Sequence, residues 1–100
     1  MLYIVDEAGL NLKGLSVVKF SAEWCAPCKR METLLKKMEG EFPEIAFYDV
    51  DIDKCNSLAK EYKIKTLPTL IFFSDKKEKH KVAGVILTEP LRKLLKELRK

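Results

Sequence analysis

At 100 residues, with 47% hydrophobic and 34% charged side chains, the chain has the size of one domain and the balance of an ordinary globular protein, not of a disordered tail. No stretch approaches the roughly 20 apolar residues that cross a bilayer, and Met1-Leu2-Tyr3-Ile4-Val5-Asp6 has neither the basic region nor the apolar core of an export signal, so a cytoplasmic address and no membrane partner are expected. The net charge of +4 gathers at Lys76, Lys77, Lys79 and Lys81 and again at Arg92, Lys93, Lys96, Arg99 and Lys100; without aromatic interleaving or a nucleic-acid motif these read as a solvated turn and the wet face of a helix, and no nucleic-acid partner is expected.

Leu2 to Val5 reads as a short strand. Asp6 to Leu12 is ambiguous, one or two helical turns ahead of Gly14. Leu15 to Ala22, with Val17, Val18 and Phe20, reads as a buried strand. Cys28, Met31, Leu34, Leu35 and Met38 then recur at helical spacing, and Gly40 is the expected stop. Ile45 to Ile52 is a second buried strand, after which Asp53 or Asn56 caps a short helix carrying Leu58, Ala59 and Tyr62. Thr69 to Phe73 is a third strong strand, Ser74-Asp75-Lys76-Lys77 a turn, and Lys79 to Val85 a more polar strand near an edge. Thr88 is the expected N-cap of a last helix, with Glu89 and Pro90 in its first turn and Leu91, Leu94, Leu95 and Leu98 on one apolar stripe. Early alternation favours parallel pairing, and the Thr69–Val85 hairpin adds an antiparallel pair. The expected fold is therefore α/β, one domain over residues 1–100, with a mixed central sheet flanked by helices.

Three cysteines do not make a closed disulfide framework. In a reducing compartment, a cysteine pair is more often catalytic or metal-binding than structural. Cys25 and Cys28 fall where a buried strand gives way to a helix. Unpaired backbone N–H groups and the helix dipole stabilise an anion there, so a Cys25 thiolate is favoured and its pKa should fall below the usual value of about 8.5. Cys28, three residues on, shares its helix face and can close a disulfide with it. Cys25 is then the attacking thiol and Cys28, one turn deeper, the resolving one. Pro27 suits the first turn and stiffens it; Trp24 sets a large ring beside the nucleophile for contact with a protein substrate. The rival is zinc, but only the scattered Cys55 and His80 could complete a site, so no metal is expected. Cys55 is either an inert small hydrophobe or a thiol for a regulatory or dimer disulfide. His80 reads as a surface residue, Met31 and Met38 as core filler.

Phe20-Ser21-Ala22-Glu23-Trp24-Cys25-Ala26-Pro27-Cys28-Lys29 resembles the active-site segment of thioredoxins. Thr66-Leu67-Pro68-Thr69-Leu70 resembles the family's cis-proline loop, Asp49-Val50-Asp51-Ile52-Asp53 its third strand, and Gly84 the glycine near its substrate groove. The resemblance implies a thioredoxin fold, a five-stranded sheet with about four helices. It implies reduction of protein disulfides without a bound cofactor, by a monomer re-reduced by an NADPH-dependent thioredoxin reductase. It implies a cis bond before Pro68, with Trp24, Ala26, Pro27, Leu67, Pro68 and Gly84 meeting the substrate and the Leu67 backbone pairing with an extended segment of it. On its own, Pro68 could simply start the next strand. Two further activities remain open: a redox-independent binding subunit of a larger assembly, and an oxidant or isomerase.

Two positions depart from the family. Ala26 stands where thioredoxins usually carry glycine, which removes backbone freedom between the cysteines. Lys19 stands where they carry a buried aspartate six residues before the first cysteine, while Asp49 falls where some members carry lysine. In one reading the pair is inverted: Lys19 and Asp49 face each other beneath the dithiol, Asp49 takes the Cys28 proton and Lys19 lowers nearby thiol pKa values by its charge. In the other, Lys19 snorkels to the surface and Asp49 is a solvated strand residue.

Overall fold

Val17, Val18 and Phe20 place apolar groups on both faces of one strand, and such a strand needs a covering layer on each side. The computed structural model, which describes residues 3–4 and 12–100, puts this strand in the middle. The strands are β1 (Tyr3–Ile4), β2 (Leu15–Ser21), β3 (Ile45–Asp51), β4 (Thr69–Ser74) and β5 (Lys77–Ala83); the helices are α1 (Ala26–Glu41), α2 (Asn56–Glu61) and α3 (Thr88–Leu98). They form one five-stranded sheet in the order β1-β3-β2-β4-β5. β3 pairs in parallel with β1 and β2, and β4 runs antiparallel to β2 and β5. The expected mixed five-stranded sheet is therefore present. The helical turns expected over Asp6 to Leu12 lie outside the described residues, apart from Leu12, which is not helical.

Alternation along the strands divides the core. On one face Val17, Phe47, Leu70 and Phe72 pack with Met31, Leu35 and Met38 of α1 and Leu91, Leu95 and Leu98 of α3. On the other, Val18, Phe20, Val50, Ile71 and Phe73 pack with Cys55, and with Leu58 and Tyr62 at α2. Met31 and Met38 are core filler, as the periodicity implied. Lys19 shares the face of Val17, so a charged side chain points into the layer beneath α1.

Several boundaries differ from expectation. α2 is capped by Cys55, without a side-chain capping bond, and not by Asp53 or Asn56. Gly40 does not stop α1, which runs to Glu41 and is capped by Phe42, whose N–H donates to Met38 O at 2.8 Å. Burying the Phe42 ring outweighs the weak local preference of glycine. Thr88 is the first helical residue of α3 and Leu87 its N-cap, without a side-chain capping bond. The polar strand spans Lys77–Ala83, two residues earlier than expected, because Asp75 and Lys76, both at positive φ, complete the turn early. It is an edge strand, as expected, and its His80 is half-exposed, edge-on to Phe72 and 4.0 Å from Glu97.

The far end of α1 is tied to α3 by Arg92, which donates from Nε and Nη2 to the two carboxylate oxygens of Glu41 at 2.9 and 3.0 Å and also pairs with Glu89. The guanidinium holds the Glu41 carboxyl below its ordinary 4.5. A depressed carboxyl stabilises the fold above its unfolded pKa and loses that contribution as pH falls through the folded value. Glu41→Gln should therefore lower the melting temperature at neutral pH, and thermal melts should show the difference closing below 4.5. A second expectation concerns Gly40, where an added Cβ meets nothing within 4 Å and φ is not positive: Gly40→Ala should stabilise the protein by about 0.5 kcal/mol in urea denaturation.

Candidate active site: a disulfide at the start of a helix

β2 ends beneath α1, and the chain between them turns sharply, with the Cys25 N–H donating to Ala22 O at 3.1 Å. Cys25 is extended (φ −93°, ψ 103°) and is the N-cap of α1; its Sγ accepts the Cys28 N–H at 3.3 Å. A sulfur thus takes the place usually held by a serine or aspartate oxygen, where unpaired N–H groups converge. Pro27 sits in this first turn, where a missing N–H breaks no helical bond. Cys25 and Cys28 are joined in a disulfide, with Cα atoms 5.3 Å apart, within the normal range.

Each cysteine faces a different hollow. Cys25 lines a groove of about 430 Å³ with Trp24, Ala26, Pro27, Ile52, Ile64, Lys65 and Leu67. Cys28 lines a pocket of about 530 Å³ on the other side, among Lys19, Ser21, Glu32, Asp49 and other polar residues. Of the residues expected to meet a substrate, Trp24, Ala26, Pro27 and Leu67 border the groove. The Leu67–Pro68 bond is cis, and Leu67 packs on the cluster containing both cysteines. Pro68 and Gly84, also expected to meet the substrate, are not among the groove's lining residues; the Gly84 N–H donates to Pro68 O at 2.7 Å, with Gly84 at φ +91°. Trp24 is 71% exposed, and its Nε1–H donates to Asp53 Oδ2 at 3.1 Å.

Beneath Cys28, Lys19 and Asp49 are register partners on adjacent parallel strands. Lys19 is 1% exposed, which rules out snorkelling. Its ammonium lies 3.5 Å from Asp49 Oδ2 and donates to the Cys28 carbonyl oxygen at 3.3 Å. Ser21 Oγ donates to Asp49 Oδ1 at 2.8 Å and fixes the carboxylate from the far side. The inverted pair therefore exists as geometry. A buried ammonium is tolerated only when paired and hydrogen-bonded, and here both conditions are met.

Cys55 is buried in the cluster of Val18 and Phe20, apart from the Cys25–Cys28 cluster. Among the described residues, no three His, Cys, Asp or Glu side chains are grouped to hold a metal ion. Sequence reasoning missed Asp53, Glu32 and Ser21. Glu32 had a signal, because four residues after Cys28 is the same helix face; so did Ser21, two residues after Lys19 on one strand face. The Asp53 contact, closed across 29 residues, had none.

The thioredoxin family model matches residues 6–97. Thioredoxin H2-1 of Oryza sativa subsp. japonica is 36% identical over 93 residues, covering 93% of this chain and 67% of that protein. A thioredoxin of Chlamydia trachomatis is 38% identical over 82 residues, covering 82% and 80%. The solved structure of Fasciola hepatica thioredoxin superposes with a TM-score of 0.78 at 32% identity, covering 84% of this chain and 80% of that one.

Trp24 is the single tryptophan, so its fluorescence reports this site alone. Asp53→Ala should free the indole: fluorescence anisotropy should fall, while stability changes by less than about 0.5 kcal/mol, because the lost bond is exposed.

Proposed function

Because the chain belongs to the thioredoxin family and is a thiol–disulfide oxidoreductase, we propose that it is a protein-disulfide reductase in which Cys25 attacks and Cys28 resolves. The observation that carries this assignment of roles is the division of the two hollows. Cys25 opens on a groove bordered by apolar groups and the exposed Trp24 ring, a surface suited to an extended peptide. Cys28 opens on a polar pocket with proton acceptors.

The reduced enzyme presents a Cys25 thiolate held by the start of α1. It attacks one sulfur of a substrate disulfide; a Cys25–substrate disulfide forms, and the other substrate sulfur leaves as a thiolate and takes a proton from solvent. Cys28 then gives its proton to Asp49, directly or through water, and its thiolate attacks Cys25 Sγ. The Cys25–Cys28 bond forms, the substrate's second sulfur leaves, and the Asp49 proton passes through the pocket to solvent. Two electrons have moved from the dithiol to the substrate. No bound cofactor takes part in this sequence. An NADPH-dependent thioredoxin reductase would return the electrons to the monomer, and a cytoplasmic location supplies the reducing conditions that such a cycle needs.

Substrate placement in this reading uses Trp24, Ala26, Pro27 and Leu67 as groove walls, with Pro68 and Gly84 holding the Leu67 backbone in place. Lys19 sets the charge beneath the dithiol.

In an insulin-reduction assay, the protein should be active with an external reductant and Cys25→Ser should be inactive. Cys28→Ser should accumulate a covalent complex with substrate that reductant dissolves; a binding subunit would show none of these effects. Asp49→Asn should slow mixed-disulfide resolution at neutral pH by roughly tenfold or more, and an unchanged pH profile would remove Asp49 from the mechanism.

A further inference from the structure

Asp49 is asked to do two things that conflict. It neutralises the buried Lys19, 3.5 Å away, and in the reading above it also accepts the Cys28 proton. Once protonated, it can no longer serve as a counter-ion. Once the Cys28 thiolate has closed the disulfide and its charge has left on the substrate sulfur, a buried ammonium facing only a protonated Asp49 has no counter-ion, which opposes resolution.

The pocket contains a second carboxylate. Glu32 Oε2 lies 4.0 Å from Lys19 Nζ; Glu32 belongs to α1 and Asp49 to β3. Lys19 is thus bracketed by carboxylates from two different elements. Glu32 follows Cys28 by four residues and so sits one turn along the same helix face, which the shared pocket lining bears out. Its other oxygen is 3.1 Å from the exposed Lys36 Nζ. The remaining charged groups bordering the pocket are Lys29 from α1, Asp51 from β3, and Glu23 and Lys54 from the loops. Glu23 and Lys54 pair with each other at 3.5 Å, and Asp51 accepts the Asp53 and Lys54 N–H groups.

We propose that Glu32 is a positioning residue for the resolving step: it is the second counter-ion of Lys19, and it keeps the ammonium paired while Asp49 carries the Cys28 proton. The inference rests on the proposed role of Asp49 and extends the same site. Lys19 keeps donating to the Cys28 carbonyl. Proton transfer from Cys28 to Asp49 leaves the pocket's charge unchanged; when the disulfide closes and the thiolate's charge leaves on the substrate sulfur, the charge goes from minus one to zero, instead of from zero to plus one without Glu32. The second change would leave a net charge in the buried layer; the first removes one.

The test reads the resolving step in single turnover on the whole chain. Reduced protein is mixed with one equivalent of the symmetric disulfide of thionitrobenzoate. One chromophore leaves as Cys25 attacks and a second as Cys28 resolves, and the second phase is followed against pH. With Glu32 neutral, Lys19 is left without a counter-ion as the disulfide closes. Glu32→Gln should therefore slow the second phase several-fold on its pH plateau and leave the first phase unchanged; the loss stays modest because Glu32 is partly solvated. Glu32→Asp, which keeps the charge, should restore the parent rate and profile. Lys36→Met, which removes Glu32's outer partner, should also stay with the parent. An unslowed second phase in Glu32→Gln, or an equal slowing in Lys36→Met, overturns the proposal. If Asp49→Asn slows resolution while Glu32→Gln does not, only the role of Glu32 falls. If Asp49→Asn leaves the profile unaltered, the reading of Asp49 falls and Glu32's role with it.

Discussion

A backbone N–H aimed at a sulfur organises this molecule. The Cys28 amide donates to Cys25 Sγ at 3.3 Å, so a cysteine occupies the N-cap of the 16-residue helix α1. Three constraints meet there. The central strand β2 must end where the helix begins, the sharp turn through Ala22 must deliver Cys25 in an extended conformation, and the buried stripe of α1 must seat on the sheet with that end uppermost. Met31, Leu35 and Met38, all fully buried with Val17 and Phe47, provide that seating. Each buried side chain of this kind contributes about 1.5–3 kcal/mol, far more than the capping bond itself. The packing of the helix therefore determines where the sulfur sits, and the electrostatics at the helix end follow from that placement.

The second organising feature is a lysine in a layer otherwise built of apolar groups. Lys19 follows Val17 on one face of β2, and the same face of β3 brings Asp49 opposite it. Parallel register makes this pairing unavoidable once both strands are in place. The ammonium then has Asp49, Glu32 and the Cys28 carbonyl around it, and Ser21 steadies Asp49. A carboxylate and an ammonium thus lie together below Cys28, with the ammonium on the central strand and the carboxylate on its parallel neighbour.

Much of this was legible in the sequence, for physical reasons. The strands of the sheet interior announce themselves by β-branched and aromatic runs, α1 and α3 by their apolar stripes, and the redox pair by its place at a strand–helix junction. The inverted Lys19–Asp49 pair could be foreseen but not decided, because whether a lysine snorkels depends on what covers it, and α1 covers it completely. Gly40 and Thr88 misled because glycine and threonine express local preferences of about 1 kcal/mol, which the burial of Phe42 and of Leu91 overrides. The Trp24–Asp53 bond was out of reach, since a contact between distant loops leaves no periodic trace.

The most direct test of the account is a titration of the Cys25 thiol in the reduced protein, followed by ultraviolet thiolate absorbance with Cys28→Ala as the background. A sulfur held at the start of α1 should ionise clearly below the usual thiol value of about 8.5. Ionisation at or above that value would contradict the claim that the helix end activates the nucleophile.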